Sequence, residues 1–260
     1  MIIYFSGTGN SRHVASLLQQ RMKGEMVKID AKSIDTASTT HLSPDSDEPL
    51  IWVFPIYSWG VPPVVVKYMS TINGDFARNK HYMVCTCGDD IGLAHEQWRD
   101  IMRSRGWNAV TAYSVQMPNT YVTFPGFDIV TEEVEADKLS RCGKRIDHIV
   151  SCIKSGTPGD DVVTGGMKWI KSRMIYPLFI RRMMSPRPFH CLDNQCIGCG
   201  LCAKACPMDN VTLNENHRPQ WSDNCAMCLA CYHACPKHAV AYGRLTDKKG
   251  QYRLPEQIAD

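Results

Sequence analysis

No apolar run in this 260-residue chain approaches the length of a membrane span, and no low-complexity tract interrupts it. The strand-like start at Met1 has neither a basic leader nor a small-residue cleavage site, so export is not expected. Neither sign of charge dominates: 29 Lys and Arg stand against 26 Asp and Glu, a formal net charge of +3. No stacking platform or basic groove motif accompanies that small excess, which argues against a nucleic-acid partner. The chain also lacks the Gly-Lys-Ser/Thr of a Walker loop and the G-x-G-x-x-G dinucleotide fingerprint. At 44% hydrophobic and 21% charged, the composition is that of an ordinary globular protein, and the length suits two domains.

Cysteine is abundant, with thirteen in the chain. Eight fall in two runs of identical spacing, Cys196, Cys199, Cys202, Cys206–Pro207 and Cys225, Cys228, Cys231, Cys235–Pro236, offset by 29 positions throughout. Each reads C-x2-C-x2-C-x3-C-P and resembles the bacterial ferredoxin signature, in which three thiolates hold one 4Fe–4S cube and the fourth reaches the other cube. The resemblance implies one cluster on Cys196, Cys199, Cys202 and Cys235 and another on Cys225, Cys228, Cys231 and Cys206. Zinc also takes C-x2-C pairs, but it needs two pairs across a longer loop, so a third cysteine this close is surplus to it. The repeat extends to Val211–Leu213 and Val240–Tyr242, which predicts a duplicated unit of short strand plus cluster loop. The five other cysteines (Cys85, Cys87, Cys142, Cys152, Cys191) are scattered and odd in number, against a disulfide framework.

At the other end, an apolar run opens through Ser6-Gly7-Thr8-Gly9-Asn10-Ser11 into a helical pattern (Val14, Leu17, Leu18, Met22). A strand leading through small hydroxyl and glycine residues into a helix N-terminus is an anion site, since backbone N–H groups and the helix dipole both favour negative charge. Two further apolar runs end in Tyr57-Ser58-Trp59-Gly60 and in Cys87-Gly88-Asp89. With these three loops the N-terminal part resembles a flavodoxin. The resemblance implies that Ser6, Thr8, Asn10 and Ser11 bind the FMN phosphate, that Trp59 stacks on the flavin, and that Gly88 and Asp89 line its pyrimidine edge. Ile91-Gly92-Leu93 stands where flavodoxins usually supply a second stacking tyrosine; Tyr57, or Tyr121 from loop 118–127, is the candidate replacement. Cys87 either tunes the flavin or simply faces the core, and Trp59 also reads as an ordinary half-buried aromatic.

Strands are expected near 1–5, 25–30, 50–55, 81–87 and 109–116, and helices near 10–22, 62–72, 93–105 and 131–154. That alternation predicts an α/β fold with a parallel five-stranded sheet; the flavodoxin resemblance adds the doubly wound strand order 2-1-3-4-5. The segmentation is a flavodoxin-like domain over 1–160, a linker over 161–188, a smaller α+β two-cluster ferredoxin-like domain over 189–246 and a polar, mobile tail over 247–260. The polar stretch 30–49 reads as a loop. Residues 161–190 carry six basic residues and one acidic, interleaved with Met167, Trp169, Ile170, Met174, Ile175, Leu178 and Phe179. That pattern fits a membrane surface or an acidic partner. The favoured reading is a clamp between the domains, with Pro177, Pro186 and Pro188 breaking any long helix.

Taken as a whole, the chain resembles flavodoxin–ferredoxin fusion proteins of anaerobes. The resemblance implies FMN, two 4Fe–4S clusters, a cytoplasmic setting and redox partner proteins: a ferredoxin, an oxidoreductase or a reductase. It implies an electron-transfer protein. The alternatives are a flavin-dependent reductase of a small organic substrate and a redox sensor; no acid–base residue stands out beside the flavin loops, and His95 reads as a helix-surface residue. Oligomeric state is open.

Overall fold

The computed structural model describes residues 1–45 and 47–255. The apolar runs become the strands of the sheet and the stretches between them become helices, of which α2 and α5 start on side-chain caps from Asp30 and Thr131. In chain order these are β1 (Ile2–Tyr4), α1 (Asn10–Met22), β2 (Met26–Lys28), α2 (Ala31–Thr36), β3 (His41–Leu42), β4 (Leu50–Pro55), α3 (Pro63–Thr71), β5 (Asn73–Gly74), β6 (Lys80–Cys87), α4 (Ala94–Ser104), β7 (Asn108–Gln116) and α5 (Glu132–Ser155). Five strands form one parallel sheet in the order β2-β1-β4-β6-β7, which is 2-1-3-4-5 when its own strands alone are counted. Both faces are covered. Trp52, Phe54 and Met83 face α3 and α4, while Ile51, Val53 and Val84 face α1 and α5. Burial on both sides is why β4 and β6 read as unbroken apolar runs.

The polar stretch 30–49 holds more structure than a loop. Asp30 caps α2 through a reciprocal pair with Ser33, and Leu42 of β3 pairs with Gly74 of β5. The buried Ile34 and Ala37 anchor this excursion. Residues just past 160 also stay with the sheet: Asp161 exchanges hydrogen bonds with Ala112 and Ser114 at the β7 edge.

The C-terminal part is built from β8 (Phe189–Cys191), β9 (Val211–Leu213), β10 (Pro219–Trp221) and β11 (Val240–Tyr242), paired antiparallel as β8–β11 and β9–β10. The sequence repeat is also a backbone repeat. Gly198 and Gly200 have φ of 69° and 72°, and Met227 and Leu229, 29 positions on, have 52° and 61°. Left-handed backbone is strained for Met and Leu, and burial of both side chains offsets it. Gly198 lies against His217, where a Cβ would come within 3.0 Å.

Between the domains, residues 168–183 form a continuous helical run in which α and π turns alternate, so Pro177 does not break it. Pro177 has no N–H to offer the Arg173 carbonyl; wider turns re-pair the backbone, as where Met184 N–H donates to Phe179 O five residues back. Pro186 and Pro188 follow the end of the run. Among the described residues, no helix is long and apolar enough to cross a membrane. The expected mobile tail is docked as far as it is described: Tyr252 is buried, and the Lys249 and Gly250 carbonyls accept from the Tyr232 hydroxyl. Residues 256–260 of that tail lie outside the described residues.

Candidate functional site

All three loops singled out in the sequence leave the C-terminal ends of sheet strands: 6–11 after β1, 56–61 after β4 and 88–93 after β6. In the first, Gly9 takes φ 102° to turn the chain into α1. Ser6 Oγ is buried without a protein partner, and Thr8 Oγ1 has only a long contact of 3.4 Å to Thr120 Oγ1. Asn10 and Ser11 differ from expectation. The Asn10 amide donates to Pro118 O (2.9 Å) and accepts from the Tyr252 hydroxyl (2.6 Å), while Ser11 Oγ meets Thr86 Oγ1 at 2.7 Å. Both side chains are buried and must be satisfied within the protein. Side-chain donors for an anion therefore reduce to Ser6 and Thr8, beside the N–H groups that open α1.

The second loop is a tight turn closed by Tyr57 and Gly60, which exchange backbone hydrogen bonds of 3.0 Å. Its central residues, Ser58 and Trp59, have φ of 44° and 65°, so non-glycine strain is concentrated here. The connector helix holds this loop and the third. Ser172 Oγ donates to Trp59 O (2.8 Å) and accepts from Leu93 N–H (2.8 Å). Tyr176 donates to Val61 O (2.6 Å), and Lys171 pairs with Asp90 at 2.7 Å while lying 5.0 Å from the Trp59 ring centre. Gly60 has no room for a side chain, because a Cβ would fall 2.2 Å from the Tyr176 ring.

In the third loop, Gly88 O accepts from Lys138 Nζ at 2.7 Å, and the Asp89 carboxylate is exposed 3.8 Å from the same ammonium. Lys138 was not singled out from sequence. The signal was present: it stands four residues before buried Cys142 on the inward face of α5. Burial pushes the Cys87 thiol up to about 12, with Asp90 adding to the effect, so Cys87 is a core-facing thiol. Tyr121 is engaged elsewhere, edge-on to Phe127 and Phe179. Tyr57 packs with Cys206 and Cys228 against one core cluster, and its hydroxyl is buried without a partner. Burial raises its pKa well above the usual phenol value, with Cys228 and Cys225 adding to the rise.

The eight repeated cysteines occupy the region between β8 and β11. Cys196, Cys199, Cys202 and Cys235 line one cavity together with Ile197, Leu213 and Val240. Cys225, Cys228, Cys231 and Cys206 interact with one another in the second set. Sulfur acceptors are aimed at donors throughout: Gly198 N–H to Cys196, Asn210 N–H to Cys206, Met227 N–H to Cys225 and Ala239 N–H to Cys235, at 3.2–3.5 Å. Trp221 Nε1 donates to Cys231 Sγ at 3.5 Å. Among the described residues, no three His, Cys, Asp or Glu side chains gather as a single metal ion would require.

Both sets contain buried thiols, but only the second packs, through Cys206 and Cys228, against the core of the parallel sheet. Cys199 is exposed, whereas burial drives the Cys228 thiol well above its ordinary pKa and Cys231 to about 12. A thiolate there needs a strong positive counter-charge, which iron supplies. Two further orphans border the second set. The Asn210 amide is 2% exposed with neither its oxygen nor its nitrogen partnered, and the Tyr57 hydroxyl is the other. Unmet buried polar atoms cost about 1–3 kcal/mol each, so a sulfur-rich acceptor beside them fits these residues. The second set also abuts the first loop: a Cβ on Gly7 would lie 2.6 Å from Cys228 Cβ and 3.1 Å from its Sγ. Neither the Gly7 contact nor the roles of Asn210 and Trp221 has a local sequence signature.

Family models match the chain in two places, a flavodoxin domain over residues 1–122 and a 4Fe–4S dicluster domain over 195–239. Among solved structures, a flavoprotein from Bacteroides uniformis is 17% identical with a TM-score of 0.35, covering 45% of this chain and 88% of that one. An NAD(P)H:quinone oxidoreductase from Methanothermobacter marburgensis is 12% identical with a TM-score of 0.31, covering 57% and 94%. A flavone reductase is 13% identical with a TM-score of 0.36, covering 95% and 86%. No curated protein matches the chain. A flavodoxin domain implies FMN and a 4Fe–4S dicluster domain implies two cubes, the cofactors of electron transfer. The chain thus joins a flavodoxin domain to a 4Fe–4S dicluster domain in one polypeptide.

Proposed function

We propose that this protein relays low-potential electrons between two 4Fe–4S clusters and FMN, to or from a partner oxidoreductase. Bound in these sites, the cubes pass single electrons while the flavin holds one or two. Cys196, Cys199, Cys202 and Cys235 hold the outer cube, with exposed Cys199 on the side a partner can approach. Cys206, Cys225, Cys228 and Cys231 hold the inner cube. Ser6, Thr8 and the first N–H groups of α1 take the FMN phosphate; Trp59, Gly88 and Asp89 flank its ring. Tyr57, Asn210 and Trp221 orient donors toward the inner cube, where hydrogen bonds to sulfur set the potential.

One observation carries the reading: Cys228 packs on Gly7 of the phosphate loop, so an inner cluster and a flavin would share one seam. Such a contact suits transfer within the molecule better than an encounter between separate carriers. The proline that closes the first repeat adds to it, since Pro207 O accepts from Ala31 N–H at 2.9 Å.

The test uses anaerobically reconstituted holoprotein mixed rapidly with a one-electron donor. Wild type should reduce its flavin through the clusters. Cys228→Ala should lose one cube of the two and slow flavin reduction while retaining FMN. Flavin reduction at the wild-type rate in a one-cube variant would refute the relay, and turnover of a small organic acceptor without a partner protein would favour a reductase.

A further inference from the structure

The connector helix turns only one side toward the protein. Lys171, Ser172 and Tyr176 make its inward contacts with Asp90, Trp59 and Val61. Its outward side is apolar: Met167 is 72% exposed, Met174 67%, Trp169 59% and Leu178 56%, with Ile170 at 49%. Ile170, Met174 and Leu178 recur at four-residue steps along this run of α and π turns, and Met167 at its N-cap extends the exposed apolar surface. Scattered exposed apolar residues are ordinary, but a contiguous stripe marks a contact surface. Beside it, Tyr121 bridges edge-on from Phe179 of the helix to Phe127 (5.9 and 5.8 Å), and Phe127 and Phe124 are 39% and 40% exposed.

The charge carried by the helix itself has one sign; Glu96 and Asp90, from α4 and the third loop, pair with Arg173 and Lys171 at its edge. Residues 162–192 contain no Asp or Glu, and Lys168, Arg173, Arg181 and Arg182 flank the apolar side chains. Arg181 and Arg182 are exposed and, among the described residues, neither they nor Lys168 enters an ion pair. The occupant is therefore anionic and offers apolar depth. Of the helix's three neutral hydrogen-bonding side chains, Ser172 and Tyr176 are turned inward, which leaves only the Trp169 indole outside. A protein interface would draw on directional hydrogen bonds across a polar rim. A bilayer asks only for buried apolar area and cations at the phosphate level.

We infer that this face seats on an anionic lipid surface, with Met167, Ile170, Met174 and Leu178 entering the acyl boundary and Arg181 and Arg182 at the headgroups. The same helix grips the loops at Trp59 and Asp90, so seating it would bring that end of the sheet to the membrane. This inference stands whether or not the electron relay proposed above is correct.

The test is co-sedimentation of holoprotein with vesicles of equal parts phosphatidylglycerol and phosphatidylcholine, compared with phosphatidylcholine alone. Holoprotein should partition onto the mixed vesicles, with Trp169 fluorescence shifting to the blue, and at least roughly tenfold less onto neutral ones. Met174→Glu with Leu178→Glu should abolish binding. Arg181→Ala and Arg182→Ala should each weaken it roughly fivefold. These side chains are exposed, so flavin and iron content should match wild type and report an intact fold. No partition onto anionic vesicles overturns the inference, as does partition that ignores lipid charge. A doubled mass in light scattering that Met174→Glu reverses, without vesicle binding, would also overturn it and assign the face to a second copy of the chain.

Discussion

Gly7→Ala tests the seam between the two domains at its narrowest point. The added Cβ would lie 2.6 Å from Cys228 Cβ and 2.7 Å from its carbonyl oxygen. Carbon–carbon contacts settle near 3.5–4.0 Å, so roughly 1 Å of separation must be found. The Cys228 loop cannot yield easily, since it packs into the flavodoxin core beside Met208 and Ala226. Forced displacement in a packed interior costs about 1–3 kcal/mol. Urea titration of the holoprotein under anaerobic conditions, followed by flavin and cluster absorbance, should show a lower midpoint with both cubes still bound. Rapid mixing with a one-electron donor should show slower flavin reduction. Gly143→Ala is the control: its Cβ would approach nothing closer than Arg21 Nη2 at 4.0 Å, inside α5, where alanine is the better helix former. A midpoint and rate equal to wild type for Gly7→Ala would refute the proposed route through this contact.

Tyr57→Phe should keep FMN and both cubes, yet move the inner cube to a more negative potential; an electron paramagnetic resonance titration showing both potentials unchanged would remove Tyr57 as a donor. Tyr252→Phe leaves Asn10 Oδ1 unpaired in a buried site, which should cost about 1–3 kcal/mol and expose the C-terminal segment to protease; unaltered unfolding and digestion would contradict this. His81 accepts from the Trp52 indole at Nδ1 (3.0 Å) and holds Phe76 O at Nε2 (2.9 Å), and burial lowers its pKa from 6.5 to about 4. The unfolded chain binds that proton more readily. Stability is therefore complete above about pH 6.5 and should fall by about 1.4 kcal/mol per unit as pH drops toward 4; a flat profile over that window would show His81 charged in the fold.

Legibility followed the range of the interactions. The cysteine spacing was readable because ligand geometry in a tight loop is a local property, and the backbone repeats it down to the paired left-handed residues. Helices α3 and α5 were readable at their starts from Pro63 and from Thr131, whose side chain accepts from Val134 N–H. The side chains of Asn10 and Ser11 turn to protein partners because a buried polar side chain answers to whatever neighbour arrives, here Tyr252 and Thr86, from far along the chain. Pro177 signalled a break that wider turns absorbed, and the tail looked mobile because its anchors, Tyr232 and Asp128, are remote in sequence.

By itself, then, the amino-acid order determined two redox modules, their fold classes and the strand–helix alternation, all written in periodicities of a few residues. Only the tertiary structure decided that Cys228 meets Gly7, that the connector grips two loops while its apolar stripe faces outward, and that Tyr252 closes over the first loop. Contacts between residues scores of positions apart depend on how whole surfaces pack, and no local pattern encodes that.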